Sequence, residues 1–119
     1  MARSSLDGQW LYYRRAGGRV PIYRIHPDGT GDELWLPDVS PYLGYAVTKS
    51  GVWFASPPTA TRRSWALMLK SFDTGVIREA ATMDFAPYLE LAVSPDERYA
   101  ILTKPDTRGT DLFLVRGFR

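Results

Sequence analysis

Short runs of apolar, aromatic and β-branched residues alternate along this chain with residues that form turns. The separators are Asp-Gly, Ser-Gly, Pro-Pro and Thr-Gly pairs, which supply a positive φ, a fixed φ or side-chain hydrogen bonds to the turn backbone. No segment has a convincing helical period. The pattern therefore predicts an all-β protein, with strands at residues 10–14, 20–25, 33–36, 45–48, 52–55, 65–70, 76–80, 91–94, 99–103 and 111–115.

A unit of turn and strand recurs along the chain. Residues 5–10, Ser-Leu-Asp-Gly-Gln-Trp, return as Thr-Lys-Ser-Gly-Val-Trp at 48–53 and as Ser-Pro-Asp-Glu-Arg-Tyr at 94–99, at offsets of 43 and 46 residues. The tripeptide Pro-Tyr-Leu at 41–43 likewise returns at 87–89, again 46 residues later. About four strands for each repeat of this length are typical of one blade of a β-propeller.

We therefore expect a partial β-propeller of about three four-stranded antiparallel blades. The first would span about residues 1–38, with residues 1–5 as a short first strand, the second about 39–84 and the third about 85–119. The chain stops before an outer strand of the third blade could form. The last blade is thus predicted to lack that strand.

The turn sequences resemble those of TolB-type, WD-like β-propellers, whose blades carry Ser-Pro-Asp-Gly-Arg between their first two strands. The matching segments are Ser-Leu-Asp-Gly-Gln at 5–9 and Ser-Pro-Asp-Glu-Arg at 94–98, where Glu97 replaces the usual glycine; in the middle repeat Lys49-Ser50 replaces Pro-Asp. The last third of the chain is similar to the C-terminal end of bacterial propellers attached to winged-helix regulators or serine/threonine kinases. The resemblance implies a sensor or protein-docking platform without catalytic activity.

Three blades leave a ring open, because propellers usually close with four to eight. An open wedge exposes an apolar face at each end and favours association. Two copies arranged head to tail would give a closed ring of six blades. The alternative is a structural segment of a longer bacterial signalling or regulator propeller, with no binding function of its own.

Candidate chemistry is sparse. His26, the only histidine, lies beside Pro27 at a turn, and no Gly-x-Ser-x-Gly motif accompanies it, so we expect a solvated turn residue and no enzyme activity. The segment Asp-Gly-Thr-Gly-Asp-Glu at 28–33 resembles a calcium loop, but its twelfth position is Val39, which offers no side-chain oxygen. We predict a β-turn there, and no cofactor or metal site.

Aromatic residues open the second strand of each predicted blade. Trp10, Trp53 and Tyr99 occupy equivalent positions in the repeat, so we expect them to pack between neighbouring blades. The acidic pair Asp96 and Glu97 lies in a turn and is expected to be solvated. No role is predicted for Trp35 or Trp65.

The loops divide by charge between the two ends of the predicted blades. One end carries a basic, tyrosine-bearing set that could dock a protein or an acidic peptide. This candidate partner-binding face consists of Arg14, Arg15, Arg19, Tyr42, Arg62, Arg63, Tyr88, Lys104 and Arg108. The opposite end carries Asp7, Asp28, Asp32, Glu33, Asp73, Asp96 and Glu97. The alternative is a set of solvated loops, with Asp106 and Asp111 pairing locally.

Composition narrows the remaining classes. The 119 residues are 45% hydrophobic, which is enough to form the core of one domain, and the net charge of +2 does not predict a nucleic-acid partner. The absence of cysteine excludes disulfide scaffolds, thiolate zinc sites and thiol nucleophiles. No apolar run has the length of a signal peptide or a membrane span, so a cytoplasmic protein without membrane contact is expected.

Overall fold

The computed structural model describes residues 3–14, 21–36, 45–86, 91–106 and 109–116, of which residues 103–106 and 109–116 are described as backbone. These residues form an all-β structure with antiparallel pairing throughout, as predicted. The first sheet contains β1 (Arg3–Ser4), β2 (Leu11–Tyr13), β3 (Ile22–Ile25) and β4 (Glu33–Leu36). The second contains β5 (Ala46–Val47), β6 (Gly51–Ser56), β7 (Trp65–Ser71) and β8 (Ile77–Met83). The third contains β9 (Leu91–Val93), β10 (Tyr99–Asp106) and β11 (Gly109–Arg116).

Each sheet is a meander in which strands that follow one another along the chain lie side by side. Every predicted strand overlaps an observed one, and the short strand expected within residues 1–5 is β1. The strands can be predicted from the sequence because their apolar residues and the turn residues between them are local signals.

Two apolar cores join the three sheets. Between the first and second sheets lie Tyr12, Ile22 and Leu36 on one side and Val52 and Phe54 on the other. Between the second and third sheets, a larger set is buried, comprising Trp53, Ala55, Leu67, Leu69, Met83, Leu91, Ala100 and Leu102. Consecutive residues of β6 therefore contribute to opposite cores, and the second sheet is covered on both faces.

The first strands of the sheets lie close to one another. Among the described elements, β1 packs against β5 and β5 packs against β9. Tyr45, which immediately precedes β5, donates its hydroxyl hydrogen to the backbone oxygen of Tyr12 at 2.7 Å. Burial raises the pKa of Tyr45 to about 12, so its hydroxyl remains a neutral donor at physiological pH.

The turn between the first two strands has the same geometry in the first and third sheets. Ser5 and Ser94 each donate a hydroxyl to the aspartate two residues later, at 2.6 and 2.7 Å. Each serine oxygen also accepts the backbone N–H of the residue five positions on, Trp10 or Tyr99, at 3.1 Å. The Ser-x-Asp sequence thus forms a turn whose length is set by its own side-chain hydrogen bonds.

The second sheet departs from this pattern and corrects the predicted equivalence of the aromatic residues. Its turn closes from Thr48 N–H to the Gly51 carbonyl, which makes it two residues shorter than the other two turns. Gly51 therefore occupies the position of Trp10 and Tyr99, and Trp53 occupies that of Tyr12. Trp53 is buried as expected, but Trp10 is only half-buried.

Tyr99 is also placed differently from the expectation. Its side chain is 44% exposed, because it lies on the face of the third sheet that no other described sheet covers. The sequence repeat suggests equivalent positions from residue type alone, whereas the position of a residue in its strand also depends on the length of the preceding turn.

Candidate functional site

The two ends of the sheets carry different kinds of connection. The turns after β1, β3, β5, β7 and β9 lie at one end, which we name the turn end. The eight-residue connections after β2 and β6 and the two-residue connection after β10 lie at the opposite end, which we name the loop end. The predicted acidic residues fall at the turn end, and the described members of the predicted partner-binding face, Arg14, Arg62, Arg63 and Lys104, fall at the loop end.

Arg62, a central member of the predicted partner-binding face, is held by its own loop. Its Nε donates to the Ser64 carbonyl at 3.0 Å, and its terminal nitrogen donates to Ser56 Oγ at 3.1 Å and to the Pro57 carbonyl at 2.9 Å. Glu79 lies 3.8 Å away, and the Arg62 side chain is 18% exposed. Through these contacts Arg62 stabilises the β6–β7 loop, and few of its hydrogen-bond donors remain to bind an anion from another molecule.

Other members of that face differ in their accessibility. The Arg14 guanidinium lies 5.7 Å from the centre of the Tyr45 ring, and burial lowers the pKa of Arg14. Arg63 is exposed and borders an apolar cleft of about 330 Å³ that includes Trp65, Met83 and Phe85. Lys104 lies in the part of β10 that is described only as backbone, residues 103–106. Five members lie outside the described residues, namely Arg15, Arg19, Tyr42, Tyr88 and Arg108. Docking of an acidic partner at this end stays a prediction.

Six of the seven predicted acidic residues at the turn end are exposed, and Glu97 is not. Asp7, Asp28 and Asp96 each accept hydrogen bonds from their own turns, and the largest contribution, a serine or threonine hydroxyl, lowers the pKa of each carboxyl. Asp28 accepts both the N–H and the hydroxyl of Thr30, and the Gly29 N–H donates to the His26 carbonyl at 2.9 Å, which closes a β-turn over residues 26–29. Their hydrogen bonds give these carboxylates a local structural role.

Glu97 corrects the expectation of a solvated acidic pair. Its side chain is fully buried and its φ is 63°, a conformation that usually selects glycine. The carboxylate accepts the hydroxyl of Thr48 at 2.9 Å and that of Ser50 at 2.8 Å, both in the turn of the second sheet. Trp53 Nε1 in turn donates to Thr48 Oγ1 at 2.8 Å. Glu97 therefore ties the turn of the third sheet to the turn of the second.

Cationic and aromatic side chains alternate in a stack between the first and second sheets. The His26 ring stacks on Trp10 with the centroids 3.9 Å apart, and His26 Nδ1 lies 2.8 Å from the Gln9 carbonyl, so this residue packs at its turn and is not simply solvated. The Arg24 guanidinium lies 3.9 Å from the Trp10 centroid and 4.0 Å from that of Trp35. Lys70 Nζ lies 3.9 Å from the centre of the Trp35 ring. The stack thus gives Trp35 a position between two cations.

The charges of this stack are partly neutralised. Arg24 Nε forms an ion pair with Glu33 Oε1 at 2.5 Å, and Lys70 donates to the Trp35 carbonyl at 2.6 Å. Burial, assisted by the nearby Arg24, lowers the pKa of Lys70. Sequence reasoning missed the stack because its members come from three strands and two sheets. The only indication of the stack in the sequence is that an aromatic, a cationic and a second aromatic residue, Trp10, Arg24 and Trp35, occur in three successive predicted strands.

The chain matches no protein-family model, no curated protein and no solved structure. Within the described residues, no group of three or more histidine, aspartate or glutamate side chains is placed to hold a metal ion. The same residues include no helix with the length and apolar character needed to cross a membrane.

The outer faces of the first and third sheets expose apolar side chains, including Leu34, Tyr99 and Ile101. On the first sheet, one face presents Leu11, Tyr13, Tyr23, Ile25 and Leu34, and the rings of Tyr13 and Tyr23 lie 5.9 Å apart. On the third sheet, the corresponding outer face presents Tyr99 and Ile101, which are 44% and 41% exposed. No other sheet in the described parts of the chain covers either face.

Proposed function

We propose that this chain is a three-blade segment of a β-propeller that functions in protein–protein association, with its two open sheet faces as the interacting surfaces. Three meander sheets, joined by two cores, approach one another most closely at their first strands. This arrangement is expected of blades that radiate from an axis. The repeated Ser-x-Asp turn supports the same interpretation.

Strand register is the observation that carries the proposal. Tyr12 and Trp53 hold the same register position in the first and second sheets, and each faces the following sheet. Ile101 holds that position in the third sheet, where its partner Ala92 matches Arg3 and Ala46. Ile101 therefore lies where the next sheet would pack.

The opposite face follows the same rule. Val52 and Phe54 face the preceding sheet, and so do Ala100 and Leu102 at the equivalent positions of the third sheet. In the first sheet these positions are held by Leu11 and Tyr13, which face no preceding sheet within the described residues. The two open faces are thus complementary halves of the contact that the chain already makes twice.

A second copy of this chain is the occupant that we propose for both faces. The third sheet of one copy would pack on the first sheet of the other, and the reverse contact would close a ring of six blades. Such a head-to-tail interface joins different surfaces of identical chains. Its core would contain Ile101 and Tyr99 from one copy and Leu11 and Tyr13 from the other.

Two charge variants test this pairing by sedimentation at micromolar concentration. Leu11→Arg places a charge on the open face of the first sheet, at the position equivalent to buried Val52, and Ile101→Arg does so on that of the third. Because every contact needs one face of each kind, we expect each variant alone to be monomeric. An equimolar mixture should recover a dimer, through the intact third-sheet face of Leu11→Arg and the intact first-sheet face of Ile101→Arg.

The contradicting results are equally specific. If like faces pair with like, one of the two variants alone will still form a dimer and mixing will have no effect. A wild-type chain that is folded and monomeric throughout the concentration range would contradict self-association. Thr61→Arg, in the exposed β6–β7 loop, serves as the control for added charge.

A further inference from the structure

The apolar cleft of about 330 Å³ beside Arg63 opens at the loop end of the second sheet. Two short segments line it, residues 63–65, which lead into β7, and residues 83–86, which continue from β8. Antiparallel pairing of Trp65 with Met83 holds these segments side by side. The volume is at the lower end of the range of small-molecule sites, so the cleft suits a small ligand.

Trp65 and Phe85 form the aromatic walls of this cleft, and Met83 is buried beneath them. Both aromatic side chains are half-buried and pack against the core between the second and third sheets, so packing fixes their positions. Within the described part of the chain, no aromatic ring or cation stacks on the Trp65 ring. Its exposed part is therefore open to an apolar group of a ligand.

One cation and one anion border the same walls. Arg63 lies on the segment before β7 and Asp84 on the segment after β8, and both residues are exposed. Neither side chain forms a hydrogen bond or an ion pair with another described residue, and the two do not pair with each other. Arg63 thus differs from its neighbour Arg62, whose donors are used within its own loop. Both charges are available to a ligand.

Charge complementarity decides which ligand fits this combination. A simple anion would be attracted by Arg63 and repelled by Asp84, and a simple cation would meet the reverse. A ligand that carries both charges can place each beside its opposite and form charge-assisted hydrogen bonds to both. The aromatic walls additionally favour an apolar group close to those charges. A free α-amino acid with an apolar side chain carries all three groups on one carbon.

We propose that this cleft binds a free apolar α-amino acid. Arg63 donates to its carboxylate, Asp84 accepts from its ammonium group, and its side chain lies against Trp65 and Phe85. L-Phenylalanine is the probe, and a Kd of about 1 mM is expected for a molecule of this size. The lining residues lie apart from those of the two open sheet faces, so binding and self-association are tested independently.

Titration of the ¹⁵N-labelled chain with L-phenylalanine tests the proposal. The Trp65 indole N–H and the backbone amides of residues 63–66 and 84–86 should shift and saturate. Two analogues isolate the charges, since 3-phenylpropionate lacks the ammonium group and phenethylamine lacks the carboxylate; each should bind about fivefold more weakly. Equal binding of all three probes would show apolar contact only and overturn the proposal. The absence of a saturable shift up to about 20-fold above the expected Kd would also overturn it.

Removing one charge at a time tests the role of each group. Arg63→Gln should weaken phenylalanine binding by about fivefold without weakening that of phenethylamine, and Asp84→Asn should do so without weakening that of 3-phenylpropionate. Both side chains are exposed, so the unfolding midpoints should equal that of the wild type. Arg98→Gln and Asp73→Asn make the same charge changes at the turn end and should bind phenylalanine as the wild type does. Wild-type phenylalanine binding by Arg63→Gln or by Asp84→Asn would overturn the assignment.

Discussion

Glu97 shows how one side chain can join two neighbouring sheets. A buried carboxylate is favourable only when donors surround it, and the hydroxyls of Thr48 and Ser50 supply them. The same residue also adopts a φ of 63°, at a position where the first sheet has Gly8. The hydrogen bonds therefore offset a backbone conformation that a glycine would adopt at no cost.

Replacing this residue should separate its two effects. Glu97→Gly removes the backbone strain together with the hydrogen bonds, and Glu97→Ala removes the hydrogen bonds alone. The cost of leaving the two hydroxyls unpaired exceeds the gain from relieving the strain, so we expect both variants to lower the free energy of unfolding. The loss should be about 2–3 kcal/mol for Glu97→Ala, and the loss for Glu97→Gly should be smaller than this by about 1 kcal/mol. Urea unfolding followed by tryptophan fluorescence measures this. A Glu97→Ala variant as stable as the wild type would show that the contact to the second sheet contributes nothing.

At the scale of elements, the strands were readable from the sequence and their registers were not. Alternating apolar residues and turn-forming pairs placed every strand, because both signals are local. The equivalence of Trp53 with Trp10 and Tyr99 was wrong because the turn of the second sheet is two residues shorter. The hydrogen bonds of Arg62 and the Arg24 stack depend on contacts between separate segments, which a single sequence does not display.

The sequence suggests a glycine in a turn at Gly51, whereas the structure requires glycine there because two strands approach closely. As part of a Ser-Gly pair it is typical of a turn, yet its φ is not in the positive range that marks four of the other glycines. A Cβ at this position would lie 1.9 Å from the backbone oxygen of Lys70. Glycine is thus required where β6 begins so that β7 can approach.

We therefore expect Gly51→Ala to cost more than an alanine at a glycine that has only a positive φ. Gly29 is such a position, with φ of 89° and open space around the site of a Cβ. Gly29→Ala should lower the free energy of unfolding by about 1 kcal/mol, and Gly51→Ala by about 3 kcal/mol or more. Parallel urea denaturation of the two variants measures the difference. Equal losses would contradict the close approach of β6 and β7.

At the scale of the whole molecule, two sheet faces that no described sheet covers correspond to the two halves of a contact that the chain makes twice. In the proposed assembly, the first sheet would pack on a preceding sheet and the third sheet on a following one. The sequence predicted the open wedge from the repeat count. The structure adds which residues would meet, because register places Leu11 and Ile101 on the two halves of the same contact.

Covalent trapping of that contact tests this claim most directly. The chain contains no cysteine, so the double variant Leu11→Cys, Ile101→Cys has only the two thiols of interest. Within one chain they lie on opposite outer faces of three stacked sheets, about 20 Å apart or more, which is too far for a disulfide. The account predicts that mild oxidation converts the double variant to disulfide-linked dimers on a non-reducing gel, while each single variant remains monomeric. A double variant that stays monomeric, or single variants that dimerise equally well, would contradict it.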